Sequence, residues 1–204
     1  MNRYGLTRVI VTVLTLLLWV AGIAGEAHAA NTERLFPAHL PSAQWKEFRA
    51  TSYSKPVTGI VYRGEPRPVS GVPLGGIATG YLDLESAGTF GYSSIFNYLS
   101  PRGGPLNTPF LGIAVGGKTW VLTTGATKPY DAGNGPPPPP GPGLVLKGVE
   151  KAKSIDYWGH FPIADVEYEA GAPVSVGLRA WSVFIPGDAT ASDTPGAVFS
   201  ASAK

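Results

Sequence analysis

Apolar and polar residues alternate along most of the chain in short runs, each closed by glycine or proline. Period-two alternation bounded by turn formers predicts strands. The candidates are Val57–Tyr62, Ile77–Glu85, Thr89–Tyr98, Phe110–Val115, Lys118–Thr123, Leu144–Val149, Ala164–Glu169, Val174–Ile185 and Ala197–Ser202. Helical periodicity is scarce: the one candidate is Ala43–Arg49, with Ser42 as its cap. Two hairpins stand out. Gly116-Gly117 between Phe110–Val115 and Lys118–Thr123 supplies the positive φ that a tight two-residue turn needs. Ala170-Gly171-Ala172-Pro173 joins Ala164–Glu169 to Val174–Ile185. No helix is long enough to serve as a crossover between parallel strands. The expected fold class is therefore all-β, an antiparallel β-sandwich.

The ends of the chain modify this picture. Arg3 and Arg8 precede an apolar run from Val9 to Ala24, and Ala27-His28-Ala29 follows. A basic start, a short apolar core and an Ala-x-Ala site form the pattern of a cleavable N-terminal signal peptide. The run is shorter than the roughly 20 residues needed to span a bilayer. The expectation is a signal peptide over 1–29, a domain over 30–204, and export to the periplasm or the extracellular space. At the other end, Pro195–Lys204 alternates to the last position, so the sandwich is expected to be incomplete at the C-terminus. Unpaired sheet edges left there would favour aggregation unless a partner covers them.

Composition narrows the chemistry. Of 204 residues, 27 are glycine and 20 proline, only 15% are charged, and cysteine is absent. That excludes disulfides, thiolate metal sites and a cysteine nucleophile. A net charge of +2 gives no electrostatic reason to expect nucleic acid or an anionic membrane as partner. The Pro/Gly-rich stretch 131–143, with five consecutive prolines, reads as an extended surface loop inside the domain.

Several residues could carry chemistry. Asp83 and Glu85, and likewise Asp165, Glu167 and Glu169, are spaced to share a strand face. Two residues of strand rise is about 6.6 Å, near the spacing of an inverting acid/base pair. Any i, i+2 acids show that spacing, and an alternating polar face ordinarily meets solvent. His39 and His160 are too far apart in sequence to suggest a metal site. Trp120, Trp158 and Trp181 offer stacking platforms for sugar, although an aromatic cluster such as Tyr157-Trp158-Gly159-His160-Phe161 is more often packed between sheets. Asp188 and Asp193 flank a loop that suits Asx turns better than calcium. Gly71-Val-Pro-Leu-Gly-Gly-Ile-Ala-Thr-Gly80 has the glycine spacing of a phosphate loop but lacks its Lys and Ser/Thr. Its glycines suit a sharp turn and close backbone approach leading into Ile77–Glu85.

That last stretch also carries a resemblance. Gly71–Gly80 resembles the G-x-P-L-G-G-I-x-x-G opening of glycoside hydrolase family 116, which includes bile-acid β-glucosidases (non-lysosomal glucosylceramidases) and bacterial β-glucosidases. Tyr157-Trp-Gly-His-Phe-Pro162, Pro173-Val-Ser-Val-Gly-Leu-Arg-Ala-Trp-Ser-Val-Phe-Ile-Pro186 and Thr194-Pro-Gly-Ala-Val-Phe199 resemble later segments of that family, in the same order. Val183 stands where the family often has proline. The resemblance implies an N-terminal β-sandwich whose partner, in cis or trans, is an (α/α)₆ barrel that carries both catalytic carboxylates of a retaining glycosidase. Neither carboxylate maps to a position of this chain, so it implies no catalytic residue, metal ligand or cofactor here. The function expected is the non-catalytic N-terminal portion of an exported β-glucosidase-like enzyme, with a glycoside as possible ligand. The alternative is a free-standing secreted carbohydrate-binding module.

Overall fold

The computed structural model describes residues 34–95, 104–128 and 148–204. Fourteen strands are assigned: β1 (Lys46–Phe48), β2 (Val57–Gly59), β3 (Tyr62–Arg63), β4 (Val72–Gly76), β5 (Gly80–Leu84), β6 (Thr89–Ile95), β7 (Thr108–Pro109), β8 (Gly112–Val115), β9 (Lys118–Val121), β10 (Glu150–Lys151), β11 (Ser154–His160), β12 (Ile163–Glu169), β13 (Val176–Trp181) and β14 (Val198–Ala203). They form a five-stranded sheet ordered β14-β13-β12-β11-β3, a four-stranded sheet β4-β5-β6-β7, a three-stranded sheet β10-β9-β8 and the pair β1-β2. Every pairing is antiparallel except the two-residue contact of β10 with β9. The all-β expectation holds.

Alternation decides which side chains meet. On β12, Ala164, Val166 and Tyr168 turn inward; on β13, Val176, Leu178 and Ala180 do the same. They pack with Val72 and Leu74 of β4, Leu84 of β5, Trp120 of β9 and Leu122 in one core shared by three sheets. Tyr157 of β11 crosses that core: its hydroxyl donates to Leu84 O and accepts from Val72 N–H, both at 2.8 Å. Burial holds that phenol far above its ordinary pKa, so it stays a neutral strut.

Four local readings change. Ala43–Arg49 is not helical: Ala43 has φ 56°, Lys46–Phe48 form β1, and the Ser42 hydroxyl accepts from Arg63 N–H instead of capping. Val57–Tyr62 is divided between β2, which pairs with β1, and β3, which pairs with β11. The turn placed at Gly71–Gly76 lies later, at Ile77–Thr79, and Val72–Gly76 is itself a strand. The backbones do approach closely, since a Cβ at Gly71 would strike Leu84 O. Ser154–His160, which forms the long strand β11, carries no pattern that marks it as a strand in the sequence.

Both predicted hairpins form. Gly116 and Gly117 have φ 59° and 78°, and Gly171 between β12 and β13 has φ 65°. The signal-peptide segment and the loop 131–143 lie outside the described residues, as does most of Leu144–Val149. No described helix is long and apolar enough to cross a membrane.

Candidate functional site

Two acid clusters and one loop junction collect the residues with chemical potential. The first cluster sits on the side of the five-stranded sheet that faces away from the core. Strand alternation puts Asp156, Trp158 and His160 of β11 there, with Asp165 and Glu167 of β12 and Arg179 of β13; Trp158 pairs with Asp165, and Asp165 with Arg179. This face was expected to meet solvent, and it does not. Phe36, Leu40, Phe48, Ala50 and Val61 close over it around Trp158, and Asp165 is left 1% exposed. Trp158 stacks on His160 at 3.6 Å between centroids, and the edges of Phe36, Phe48 and Tyr53 pack against it.

Every buried carboxylate in this cluster has a cation. Arg179 binds Asp165 through two hydrogen bonds, Nε to Oδ1 at 2.7 Å and Nη2 to Oδ2 at 3.1 Å. His160 Nε2 lies 3.0 Å from Oδ2 of the same residue. Arg63 reaches Asp156 at 2.7 Å, and Arg34 bridges Asp156 at 3.2 Å and Glu167 at 3.1 Å. Burial would raise the Asp165 carboxyl, but the hydrogen bonds from His160 and Arg179, with the Arg179 charge, bring it below the ordinary carboxylate value. At Asp156 and Glu167 burial prevails over the arginines, and both are raised. Glu169, at the strand end, is exposed.

The second cluster is built differently. Asp83 and Glu85 are both buried at the end of β5, and among the described residues the only cation on them is Lys128, whose Nζ lies 2.9 Å from Glu85 Oε1. Asn107 clamps the Lys128 backbone, its Oδ1 accepting from Lys128 N–H and its Nδ2 donating to Lys128 O. Gly91 gives Glu85 its space: a Cβ there would collide with the carboxylate. Asp83 is 7% exposed and takes no hydrogen bond among the described residues. Burial, and then the Glu85 charge, push its carboxyl up to about 6 against the opposing pull of Lys128.

The loop junction joins two distant segments. Asp188 Oδ1 accepts from Ala191 N–H and caps the helical turn α1 (Ala189–Ser192). Asp193 Oδ1 accepts from Ala78 N–H at 2.6 Å, and Ser192 O accepts from Ile77 N–H at 3.1 Å. Both aspartates therefore serve backbone amides. A Cβ at Gly76 would run into Asp193 O, so a side chain there would prevent the segments from closing. Ser192 also binds Ile185 N–H through its hydroxyl. Ile77, Phe184 and Ile185 stand exposed around this joint, and Phe161 lies 5.3 Å from Phe184 between ring centroids.

The segments that meet here are matched together by a known family. A family model described as beta-glucosidase 2, glycosyl-hydrolase family 116 N-term, matches residues 71–204. The chain belongs to that family. No curated protein and no solved structure matches the chain. The stretch corresponding to the family 116 N-terminal domain thus includes β4 to β14 and both sides of the joint, whereas Arg34 and Arg63 precede it.

The three tryptophans proposed as stacking platforms, Trp120, Trp158 and Trp181, do not form an exposed surface together. Trp120 and Trp158 are buried in two different cores, and Trp181 is half-buried. His39 lies exposed in a turn, apart from His160. Sequence reasoning missed the cations. Arg179 was accessible to it, because it shares the alternation that puts Asp165 on the outer face. Arg34, Arg63 and Lys128 act across more than forty positions, and Arg34 and Lys128 lie outside the strands, so no periodicity points to them.

Proposed function

We propose that this chain is the non-catalytic N-terminal portion of an exported family 116-like β-glucosidase, and that it serves by docking on an (α/α)₆ catalytic barrel, in cis or in trans. The observation that carries this reading is the joint between Gly76–Thr79 and Ile185–Asp193. It is rigidly hydrogen-bonded, yet it leaves Ile77, Phe161, Phe184 and Ile185 exposed at one place. Grouped apolar side chains on such a frame suit a protein partner. The acids support the same division of labour. A retaining glycosidase needs two carboxyls about 5–5.5 Å apart facing the sugar. Asp165, Asp156 and Glu167 are instead each committed to a guanidinium beneath the segment that carries Phe36 and Phe48.

The test is direct. The purified chain alone should leave an aryl β-glucoside intact. Mixed with a separately expressed family 116 barrel it should co-elute, and Ile77→Asp combined with Phe184→Asp should abolish that co-elution. Turnover by the chain alone, lost in Asp83→Asn or Asp165→Asn, would overturn the reading. Export adds its own measurement: the mature protein should begin at Ala30 by intact mass.

A further inference from the structure

We infer that the open edge of β14 pairs antiparallel with the β14 edge of a second copy of this chain, joining the two five-stranded sheets across a two-fold axis at Ala201. β14 stands at the end of its sheet, and all six of its residues, Val198–Ala203, are exposed.

The ladder to β13 fixes which backbone groups are open. Ser175 N–H donates to Lys204 O at 2.9 Å, and Lys204 N–H donates to Ser175 O at 3.1 Å. Pairs that exchange both bonds recur at every second residue of an antiparallel ladder. The register carries them on to Gly177 with Ser202, Arg179 with Ser200 and Trp181 with Val198. The N–H and C=O groups of Phe199, Ala201 and Ala203 therefore point away from β13, and no described strand pairs with them.

An edge of this kind takes up another strand unless it is blunted. The other sheet edges are blunted. β3 and β7 are two residues each, and β7 ends in Pro109. β4 carries Pro73, and β10 is the charged dipeptide Glu150-Lys151. On β8 the ladder leaves only Gly112 and Ala114 turned outward, because Leu111 O accepts from Leu122 N–H on the β9 side. β14 has none of these devices: Val-Phe-Ser-Ala-Ser-Ala has no charge and no proline, and its register with β13 is unbroken. Its first turn of alternation is also anchored, since Phe199 packs against Phe110 at 5.4 Å and Phe90 at 6.0 Å between centroids.

The strand's own sequence selects the occupant. In a second copy running antiparallel about Ala201, open groups face open groups. Ala201 meets its counterpart and Phe199 meets Ala203 of the other copy, each pair exchanging two hydrogen bonds. The intervening pairs set Ser200 against Ser202 and Val198 against Lys204, so no like charges are opposed. Ala203 leaves room for the Phe199 ring. A charged partner strand would find no complementary charge between Val198 and Ala203.

The test is sedimentation velocity on the purified chain. So short a strip predicts a weak dimer with a Kd of about 10–100 µM, and loading from about 5 to 500 µM brackets it. Ala201→Lys places two ammonium groups face to face at the axis, as Ala201→Glu does two carboxylates. Each variant should raise the Kd at least about tenfold, with a melting curve like the parent's because Ala201 is exposed. An equimolar mixture sets Lys against Glu and should restore dimer to within about threefold of the parent Kd, a rescue that misfolded variants could not give. Ile77→Asp combined with Phe184→Asp should leave the dimer intact, so the result is read separately from docking on a barrel. A monomer throughout the range, open-ended growth beyond dimer, no rescue in the mixture, or loss of the dimer in the Ile77 and Phe184 variant would each overturn the assignment.

Discussion

The two acid clusters begin from the same sequence device, carboxylates two apart on a strand, and reach opposite electrostatic states. On β11 and β12 three arginines and a histidine converge on Asp156, Asp165 and Glu167. At the end of β5, a single lysine among the described residues attends Asp83 and Glu85. The first arrangement is matched charge for charge. The second has one cation for two acids, and the shortfall falls on Asp83, whose carboxyl is pushed up to about 6. Spacing along a strand places the acids. Cations arriving from elsewhere in the chain decide whether those acids are ionised.

The largest expected effect comes from breaking the matched cluster. Arg179→Met leaves Asp165 buried with only His160 against it. Removing one member of a buried pair costs about 3–5 kcal/mol, far more than the pair itself contributes over an apolar replacement. Urea unfolding at neutral pH should show that loss. A change below about 1 kcal/mol would mean that the cluster is wetter than its packing implies.

Next in size is the unmatched acid. Asp83 has a higher pKa in the folded chain than its ordinary 3.8, so the folded state holds its proton more tightly than the unfolded one. Its contribution favours folding below pH 3.8 and is lost as pH rises through about 6. The difference corresponds to about 3 kcal/mol if the whole shift counts. Asp83→Asn removes the ionisation, so the variant should gain on the parent between pH 5 and 8 by up to about that amount. The measurement is stability against pH for both proteins; parallel curves across that range would refute the assignment.

A smaller effect separates the two causes at Asp83. Glu85→Gln removes the neighbouring negative charge but leaves the burial, which is the larger cause. The Asp83 midpoint, followed through its side-chain carboxyl by carbon NMR, should fall and yet remain above 3.8. A return to the ordinary value would mean that charge repulsion, and not burial, governs the site.

This contrast also marks what could be read in the sequence. Period-two alternation identified β12 and β14 nearly to the residue, because apolar residues alternate with polar or small ones along both, although β12 is buried on both faces and β14 is exposed throughout. The Gly116-Gly117 turn was legible because positive φ at both positions admits few other residues. The same rule failed at β11, where Tyr157 and Trp158 are adjacent and Gly159 follows, so apolar and polar residues do not alternate through the segment. It failed again at Lys46–Phe48, which has too few residues to show a period and whose partner β2 sets its conformation. The acids of the candidate sites were legible as acids. Their burial was not, because the cover over Asp165 comes from residues 36–61, more than a hundred positions earlier.

The smallest predicted effect tests whether burial or bond length governs these pairs. Glu65 and Arg67 form an ion pair at 2.8 Å, as short as most contacts in the buried clusters, but the Glu65 side chain is 73% exposed. Water screens such a pair and ordering two long side chains opposes it, so its net contribution is about 0–0.5 kcal/mol. Glu65→Gln should therefore leave the unfolding midpoint unchanged within error, at low salt and at high salt alike. Arg179→Met breaks contacts of the same length and is expected to cost many times more. If the two variants lost comparable stability, distance alone would rank the ion pairs, and the state of Asp83 could not be credited to the burial that separates the two clusters from the surface.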